Sequence, residues 1–379
     1  MKKTLVALAV AAVAASANAT TVYNQNGTKV DVGGRVDVML GKFGDAQRTD
    51  LRNNNSRVEF KAEHEVQNGL KAIGAVRFGL GDNEDEDSSF NGVKVSKLWL
   101  GLKHNDIGKV TFGKQDTTAD DVQLNDHTYI FGGNNNLVTS GDKVVSFRTA
   151  DIQLAEGQTL GFGADYGFGE AHKKDIELGS PDRHLELKNT YGVSAFYAGN
   201  FGDIKVNANA GYTVRNENAL AGPIVSKTDN QQQAWRLATQ VEFGPASLGV
   251  EYGQTVYQSK VQHEFQGSAR FVEVGAKYAV LPDVLNVYTQ WQRNSLRSAS
   301  GTFARKFKQP FSLSYVKLTD LNLQQHGKAV QNVFIVGADY AFNKNLLAYA
   351  EFANSRVKAP KKAENVRESF YAAGLRVYF

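Results

Sequence analysis

Apolar and polar residues alternate along nearly the whole chain beyond residue 29. Between Val30 and Leu40, the residues Val30, Val32, Gly34, Val36, Val38 and Leu40 fall on one face, and Asp31, Gly33, Arg35, Asp37 and Met39 on the other. A period of two puts neighbours on opposite sides of an extended strand. The next segment repeats the pattern, with Val58, Phe60, Ala62 and Val66 facing away from Arg57, Glu59, Lys61, Glu63 and Glu65. A helix would scatter those five charges around its circumference. Sixteen segments carry the signal: 29–41, 56–66, 70–80, 95–104, 109–115, 143–151, 158–168, 187–199, 203–215, 231–243, 246–257, 268–280, 284–295, 331–342, 345–357 and 367–379. Pro310 to Lys317 also reads as extended and is assigned to a long loop, because single-chain bacterial barrels have even strand numbers.

The connections alternate too. Short turns such as Gln67-Asn68-Gly69, Gly244-Pro245 and Asn343 to Asn345 are interleaved with longer polar stretches at 42–55, 81–94, 116–142, 169–186, 216–230, 258–267, 296–330 and 358–366. A transmembrane barrel has this asymmetry, with turns on one side of the membrane and loops on the other. Aromatics gather at strand ends (Phe43, Phe78, Phe112, Phe168, Phe243, Tyr278, Tyr340, Phe342, Tyr378 and Phe379), where interfacial girdles form. The predicted class is therefore all-β: one antiparallel transmembrane barrel of sixteen strands over 20–379, with short periplasmic turns and long extracellular loops.

Composition changes the picture in three places. Lys2 and Lys3, an apolar run from Leu5 to Ala15 and Ala17-Asn18-Ala19 read as a cleaved secretory signal over 1–19. Without it the net charge of +4 falls to about +2, which gives no reason to expect a nucleic-acid partner. Cysteine is absent, so hydrogen bonding and packing alone hold the fold.

Lipid offers the backbone no hydrogen bonds, so strands span it only as a closed cylinder. Sixteen strands enclose an aqueous channel. The inward faces carry Asp31, Arg35, Asp37, Arg57, Glu59, Lys61, Arg77, Lys97, Arg148, Lys205, Arg215, Glu242, Glu251, Glu273 and Lys277. Drying so many ions would cost several kcal/mol each, so water must fill the lumen. The third long connection, 116–142, is the candidate restriction, with Asp120, Asp121, Asp126, Phe131, Gly132 and Gly133.

The chain resembles the general diffusion porins of Gram-negative bacterial outer membranes. The resemblance runs from Val22-Tyr23-Asn24 through Arg57, Phe60-Lys61, Gly101-Leu102-Lys103 and Phe131-Gly132-Gly133. It continues to Val336-Gly337-Ala338-Asp339-Tyr340 and Gly374-Leu375-Arg376-Val377-Tyr378-Phe379. It implies a homotrimer with one pore per subunit and a third loop folded inward against a basic wall. Arg35 and Arg57 match two wall bases, and Lys97 or its neighbour a third. The fourth falls near Ser140, where no base stands and Lys143 or Arg148 is the substitute. Asp126 matches one loop acid; the other falls on Ile130, leaving Asp120 or Asp121 to compensate. The second loop, 81–94, resembles a latch onto a neighbouring subunit, and Phe379 resembles the signal read by the outer-membrane assembly machinery.

The expected function is passive diffusion of ions and small hydrophilic solutes, with no cofactor or metal. The partners implied are outer-membrane lipid and lipopolysaccharide. Arg35, Arg57, Arg77, Lys97 and Arg148 against Asp120, Asp121 and Asp126 suggest a mild anion preference. A substrate-specific channel is the first alternative, although Trp99 and Phe196 form no aromatic ladder. An enzyme barrel is the second; His127 beside Asp126 is its one candidate pair, and no nucleophile-elbow or metal motif accompanies it. The acidic run Asp82 to Asp87 reads as a solvated loop, and Lys358 to Lys362 as either a contact for lipopolysaccharide phosphate or plain exposed surface.

Overall fold

The computed structural model describes residues 19–45, 47–81, 90–171, 184–221, 226–259, 264–298, 327–358 and 365–379. Its strands in chain order are β1 (Thr20–Gln25), β2 (Thr28–Lys42), β3 (Asp50–Asn53), β4 (Ser56–Gln67), β5 (Leu70–Leu80), β6 (Val93–His104), β7 (Gly108–Asp116), β8 (Ser140–Thr149), β9 (Ile152–Ala155) and β10 (Gln158–Phe168). They continue with β11 (His184–Phe201), β12 (Ile204–Ala221), β13 (Ser226–Phe243), β14 (Ala246–Ser259), β15 (Glu264–Leu281), β16 (Leu285–Ser298), β17 (Lys328–Asn343), β18 (Leu346–Lys358) and β19 (Val366–Tyr378). Every pairing is antiparallel between chain neighbours until β19 returns to β2, from Tyr371 opposite Lys42 to Tyr378 opposite Arg35. That contact closes a barrel of sixteen wall strands.

The three further strands are pieces of wall positions. β1 runs along the same edge of β2 as β19, from Thr20 opposite Val32 to Gln25 opposite Thr28. Phe379 fills the place between them, its N–H and C=O paired with Gly34 at 3.2 and 2.8 Å. β3 and β4 share the other edge of β2 and are separated at Asn54-Asn55, where Asn55 takes φ 60°. β8 and β9 likewise share β10, broken at Ala150-Asp151. The periodicity had placed 42–55 wholly in a loop and had not separated β9. It had also ended two strands at 215 and 231, whereas β12 and β13 extend to Ala221 and back from Ser226.

The tight turns follow from their residues. Asn26-Gly27 (φ 52° and 71°) and Asn68-Gly69 (φ 48° and 79°) adopt the paired left-handed conformation whose twist suits a hairpin. Apolar side chains line the outside: Leu100 is 66% exposed, while Glu273 and Gln290 inside are fully buried. This inversion of a soluble protein is the burial signature of a barrel in lipid. One predicted girdle residue is corrected. Phe43 points inward, buried against Phe131 with ring centroids 6.2 Å apart. Residues 1–18 of the expected signal peptide (1–19), the run Asp82 to Asp87, Pro310 to Lys317 and most of Lys358 to Lys362 lie outside the described residues.

Candidate functional site

Residues 117–139 leave β7, cross the lumen and return to β8. The neck is closed by Thr117 N–H donating to Thr139 C=O at 2.8 Å. A single 3₁₀ turn, Thr118–Val122, opens the loop. From there the segment is tied to the inner wall by three strand carboxylates that accept from its backbone amides. Asp165 on β10 takes Thr118 N–H at 3.0 Å. Glu251 on β14 takes Leu124 and Asn125 N–H at 2.6 and 2.8 Å. Glu351 on β18 takes Tyr129, Ile130 and Phe131 N–H, the last two at 3.1 and 3.0 Å. An ionised acceptor roughly doubles the strength of each such bond, and successive amides aimed at one carboxylate form an anion nest.

Apolar packing completes the attachment. Phe131 (2% exposed) sits among Met39, Phe43, Val333, Ile335, Ala353, Phe370 and Ala372. Tyr129 stacks on Tyr349 with centroids 4.7 Å apart. Asn125 enters a socket made by Gly249 and Gly275, which face each other across β14 and β15. A methyl group at Gly249 would overlap the Asn125 amide, and one at Gly275 would lie 2.7 Å from its carbonyl oxygen. Gly249→Val is expected to push the loop off the wall, because overpacking costs about 1–3 kcal/mol. Limited proteolysis checks this: new cleavage within 117–139 in the variant, absent from the parent.

The loop covers the wall from β10 to β19, its tip reaching Met39 on β2, and leaves the Arg35 end of β2 and β4–β7 facing the open lumen. There the wall is basic. Arg35 on β2 and Arg57 on β4 are direct cross-strand partners. Neither forms an ion pair among the described residues; Arg35 donates only to Asn55 C=O, at 3.2 Å. One row further toward the turns, Glu59, Arg77 and Lys97 align across β4, β5 and β6. Arg77 binds Glu59 at 3.0 Å, and Lys97 binds Asp116.

Facing this wall are Asp120 and Asp121. Asp121 holds Arg148 at 2.7 Å, and the Arg148 guanidinium lies 3.7 Å above the Phe196 ring. Arg148 rather than Lys143 therefore reaches the loop, since Lys143 donates to Gly169 C=O. Enclosure within the barrel, then Asp116 and Asp121, push the Asp120 carboxyl up to about 6, against the pull of Lys97 and Arg77. Below that pH Asp120 loses its charge, so anion preference is expected to rise between pH 7 and pH 5. Reversal potentials recorded across that range should show a step that Asp120→Asn removes.

The remaining loop residues singled out by sequence lie elsewhere. Asp126 accepts from Thr128 N–H and Oγ1 at 3.1 and 2.7 Å, bracing the turn beneath Gly132 and Gly133. Phe131 is a packing anchor. His127 lies beside Gly275, with burial and then Lys277 holding its pKa down to about 4. Asp126 is thus bonded to Thr128, not to His127. Sequence reasoning missed the three anchoring carboxylates. It placed Glu251 and Glu273 in open water, together with Asp37, yet all three are buried: Glu251 pairs with Arg236 behind the loop, and Asp37 with Arg376 at 2.6 Å. An inward carboxylate looks the same in the strand pattern whether water or a loop lies over it.

The profile described as Gram-negative porin matches residues 4–360. A major outer membrane protein of Pasteurella multocida strain Pm70 is 33% identical over 398 residues, covering 100% of each chain. Another from Pasteurella multocida is 37% identical over 317 residues, covering 77% of this chain and 84% of that one. Among solved structures, the loop L8 deletion mutant of OmpT, an outer membrane protein of Vibrio cholerae, aligns with TM-score 0.66 at 21% identity, covering 93% of this chain and 100% of its own. The anion-selective porin from Comamonas acidovorans aligns with TM-score 0.63 at 16% identity, covering 93% and 100%.

Proposed function

The chain belongs to the Gram-negative porin family, and from that premise we propose that the gap between residues 117–139 and the wall of β2 and β4–β7 is the size-limiting constriction of a passive diffusion channel. The protein is an outer-membrane porin. The observation that carries the reading is the opposition of charge across the gap. Asp120 and Asp121 stand on the loop, opposite Arg77, Lys97 and Arg148, with Arg35 and Arg57 alongside. Opposed charges across a narrow ring set up a transverse field in which water orients. An apolar solute must displace that water without replacing its interactions, whereas a small polar or zwitterionic solute aligns its own dipole.

Pairing sharpens the selectivity. Arg77, Lys97 and Arg148 are each matched by an acid, while Arg35 and Arg57 are not. On the loop side of the ring, among the described residues, Asp120 alone forms no ion pair. The ring therefore carries net positive charge, and the channel favours anions. In a planar bilayer with a salt gradient, the reversal potential is expected to take the sign of an anion-preferring pore; a clear cation preference would refute the assignment. The assembly is proposed to be a homotrimer, visible as conductance steps in groups of three. Residues 1–19 are proposed to be a cleaved leader, which the mass of the protein purified from outer membranes would reveal.

A further inference from the structure

Three consecutive asparagines, Asn53-Asn54-Asn55, mark the break between β3 and β4. Two of them serve the break itself. Asn53 Oδ1 accepts from Ser56 N–H at 3.1 Å, and its amide donates to Leu80 C=O on β5. Asn55 takes φ 60°, a backbone region that asparagine enters more readily than most residues. Asn54 has a different role. Its backbone N–H donates to Asp37 C=O at 2.8 Å. Its side-chain Nδ2 donates to Tyr129 C=O at 3.0 Å, Tyr349 Oη at 2.9 Å and Asp37 Oδ2 at 3.2 Å. A turn-forming asparagine bonds to backbone a residue or two away, whereas these partners lie 75, 295 and 17 residues away. One amide thus joins β18, β2 and the tip of residues 117–139. Two of its partners are themselves fixed: Tyr349 Oη donates to Asp37 Oδ1 and Arg376 Nε to Asp37 Oδ2, both at 2.6 Å, with Asp37 fully buried.

The same connection meets the tip at a second point. Phe43, just after β2, packs edge-on against Phe131, and the Arg52 guanidinium lies 4.1 Å from the centroid of the Phe43 ring. Arg52 is held in turn by Asp50 at 2.6 Å and Gln47 at 2.9 Å. Tyr129 is therefore gripped at both backbone groups, its N–H by Glu351 and its C=O by Asn54, two residues from the Phe43–Phe131 contact. On the other side of the gap, Asn55 C=O accepts from Arg35 Nε at 3.2 Å. Arg35 is one of the two wall cations without an ion pair among the described residues. Adjacent residues thus fix both margins of the gap, Asn54 the loop tip and Asn55 the wall cation.

We propose that Asn54-Asn55 is a spacer that sets the width of the constriction, with Asn54 a positioning residue for size selection. It holds the tip of residues 117–139 at a fixed distance from Arg35, so the first long connection governs an aperture formed by the third. The proposal rests on reading that gap as the constriction.

The test uses the purified protein in planar bilayers, with thermal unfolding measured in parallel. Asn54→Leu is expected to make transitions to a larger conductance level about tenfold more frequent, from one acceptor left without its donor. In that larger level the anion-to-cation permeability ratio is expected to fall to roughly half the parental value, because the opposed charges stand further apart. Asn54→Ser keeps a turn-forming residue but is too short to reach Tyr129 C=O. It is expected to act in the same direction and carries the test should the leucine variant fail to fold. Asn53→Ala loosens the break while leaving the Asn54 side chain in place, and its conductance is expected to be parental. A residue that only shaped the turn would lower the unfolding temperature and leave conductance unchanged; that result for the Asn54 variants would overturn the proposal. So would an Asn53→Ala pore as wide as that of Asn54→Leu. Glu351→Ala, recorded alongside, separates the two readings. If it widens the pore and the Asn54 variants do not, the spacer alone falls; if none of them widens it, the constriction reading falls as well.

Discussion

Glu351→Ala is expected to open the channel. Three successive amides at the tip of residues 117–139, those of Tyr129, Ile130 and Phe131, converge on this one carboxylate, which also accepts from Tyr288 Oη at 2.9 Å. Removing it leaves buried donors without an acceptor. Each unsatisfied group costs roughly 1–3 kcal/mol, so the tip loses on the order of 3–5 kcal/mol of attachment. A shift of that size moves a closed-to-open loop equilibrium by roughly 100-fold to 5,000-fold. Phe131 would still prefer its apolar site against Phe43 and Phe370, so the released loop should fluctuate rather than leave the lumen. Single-channel records should show larger and noisier conductance, and liposome swelling should admit larger sugars than the parent passes. Unchanged conductance and unchanged size cut-off would mean that apolar packing alone holds the loop.

The second large effect concerns charge. Arg35→Glu/Arg57→Glu is expected to convert the anion preference into a cation preference. Both residues lack an acidic partner among the described residues, so no ion pair is broken and no buried charge is orphaned. A unit charge roughly 5 Å from a passing ion contributes about 0.8 kcal/mol in water. Each substitution changes the ring by two units, and salt screening at 0.1 M removes part of the gain. The cation-to-anion permeability ratio should rise by about tenfold or more. Neutralising the Glu59–Arg77 pair instead (Glu59→Gln/Arg77→Gln) removes a matched pair and should leave selectivity near the parental value. Similar reversal potentials for the parent and the Arg35/Arg57 variant would place the selective ring elsewhere in the lumen.

Much of this was legible from alternation alone. All sixteen wall strands were located by period two, β12 and β13 running several residues further at their loop ends, because a residue between lipid and water has only two faces to choose from and the choice is written into each side chain. Arg35, Arg57, Arg77 and Lys97 were readable as inward cations for the same reason. The short strands β1, β3 and β9 were not readable as separate elements. Their boundaries are set by where another segment already occupies the edge of β2 or β10, which is a matter of pairing partners rather than of local pattern.

Residues 117–139 mark where local reading stopped. Length and acidity identified the loop as the restriction, but its course was decided by partners distant in the chain: Asp165, Glu251, Glu351, the Gly249–Gly275 socket and the apolar patch around Ile335. The same course divides the inward carboxylates. Those on β10 to β18 beneath the loop, together with Asp37 at its tip, are buried and structural, while Glu59 on the open side remains with the basic wall. By itself, the sequence determined that this chain is a barrel with a polar inside, since strand faces follow from nearest-neighbour alternation. Only the tertiary structure decided which of those inward charges meet water, because that depends on what the barrel encloses.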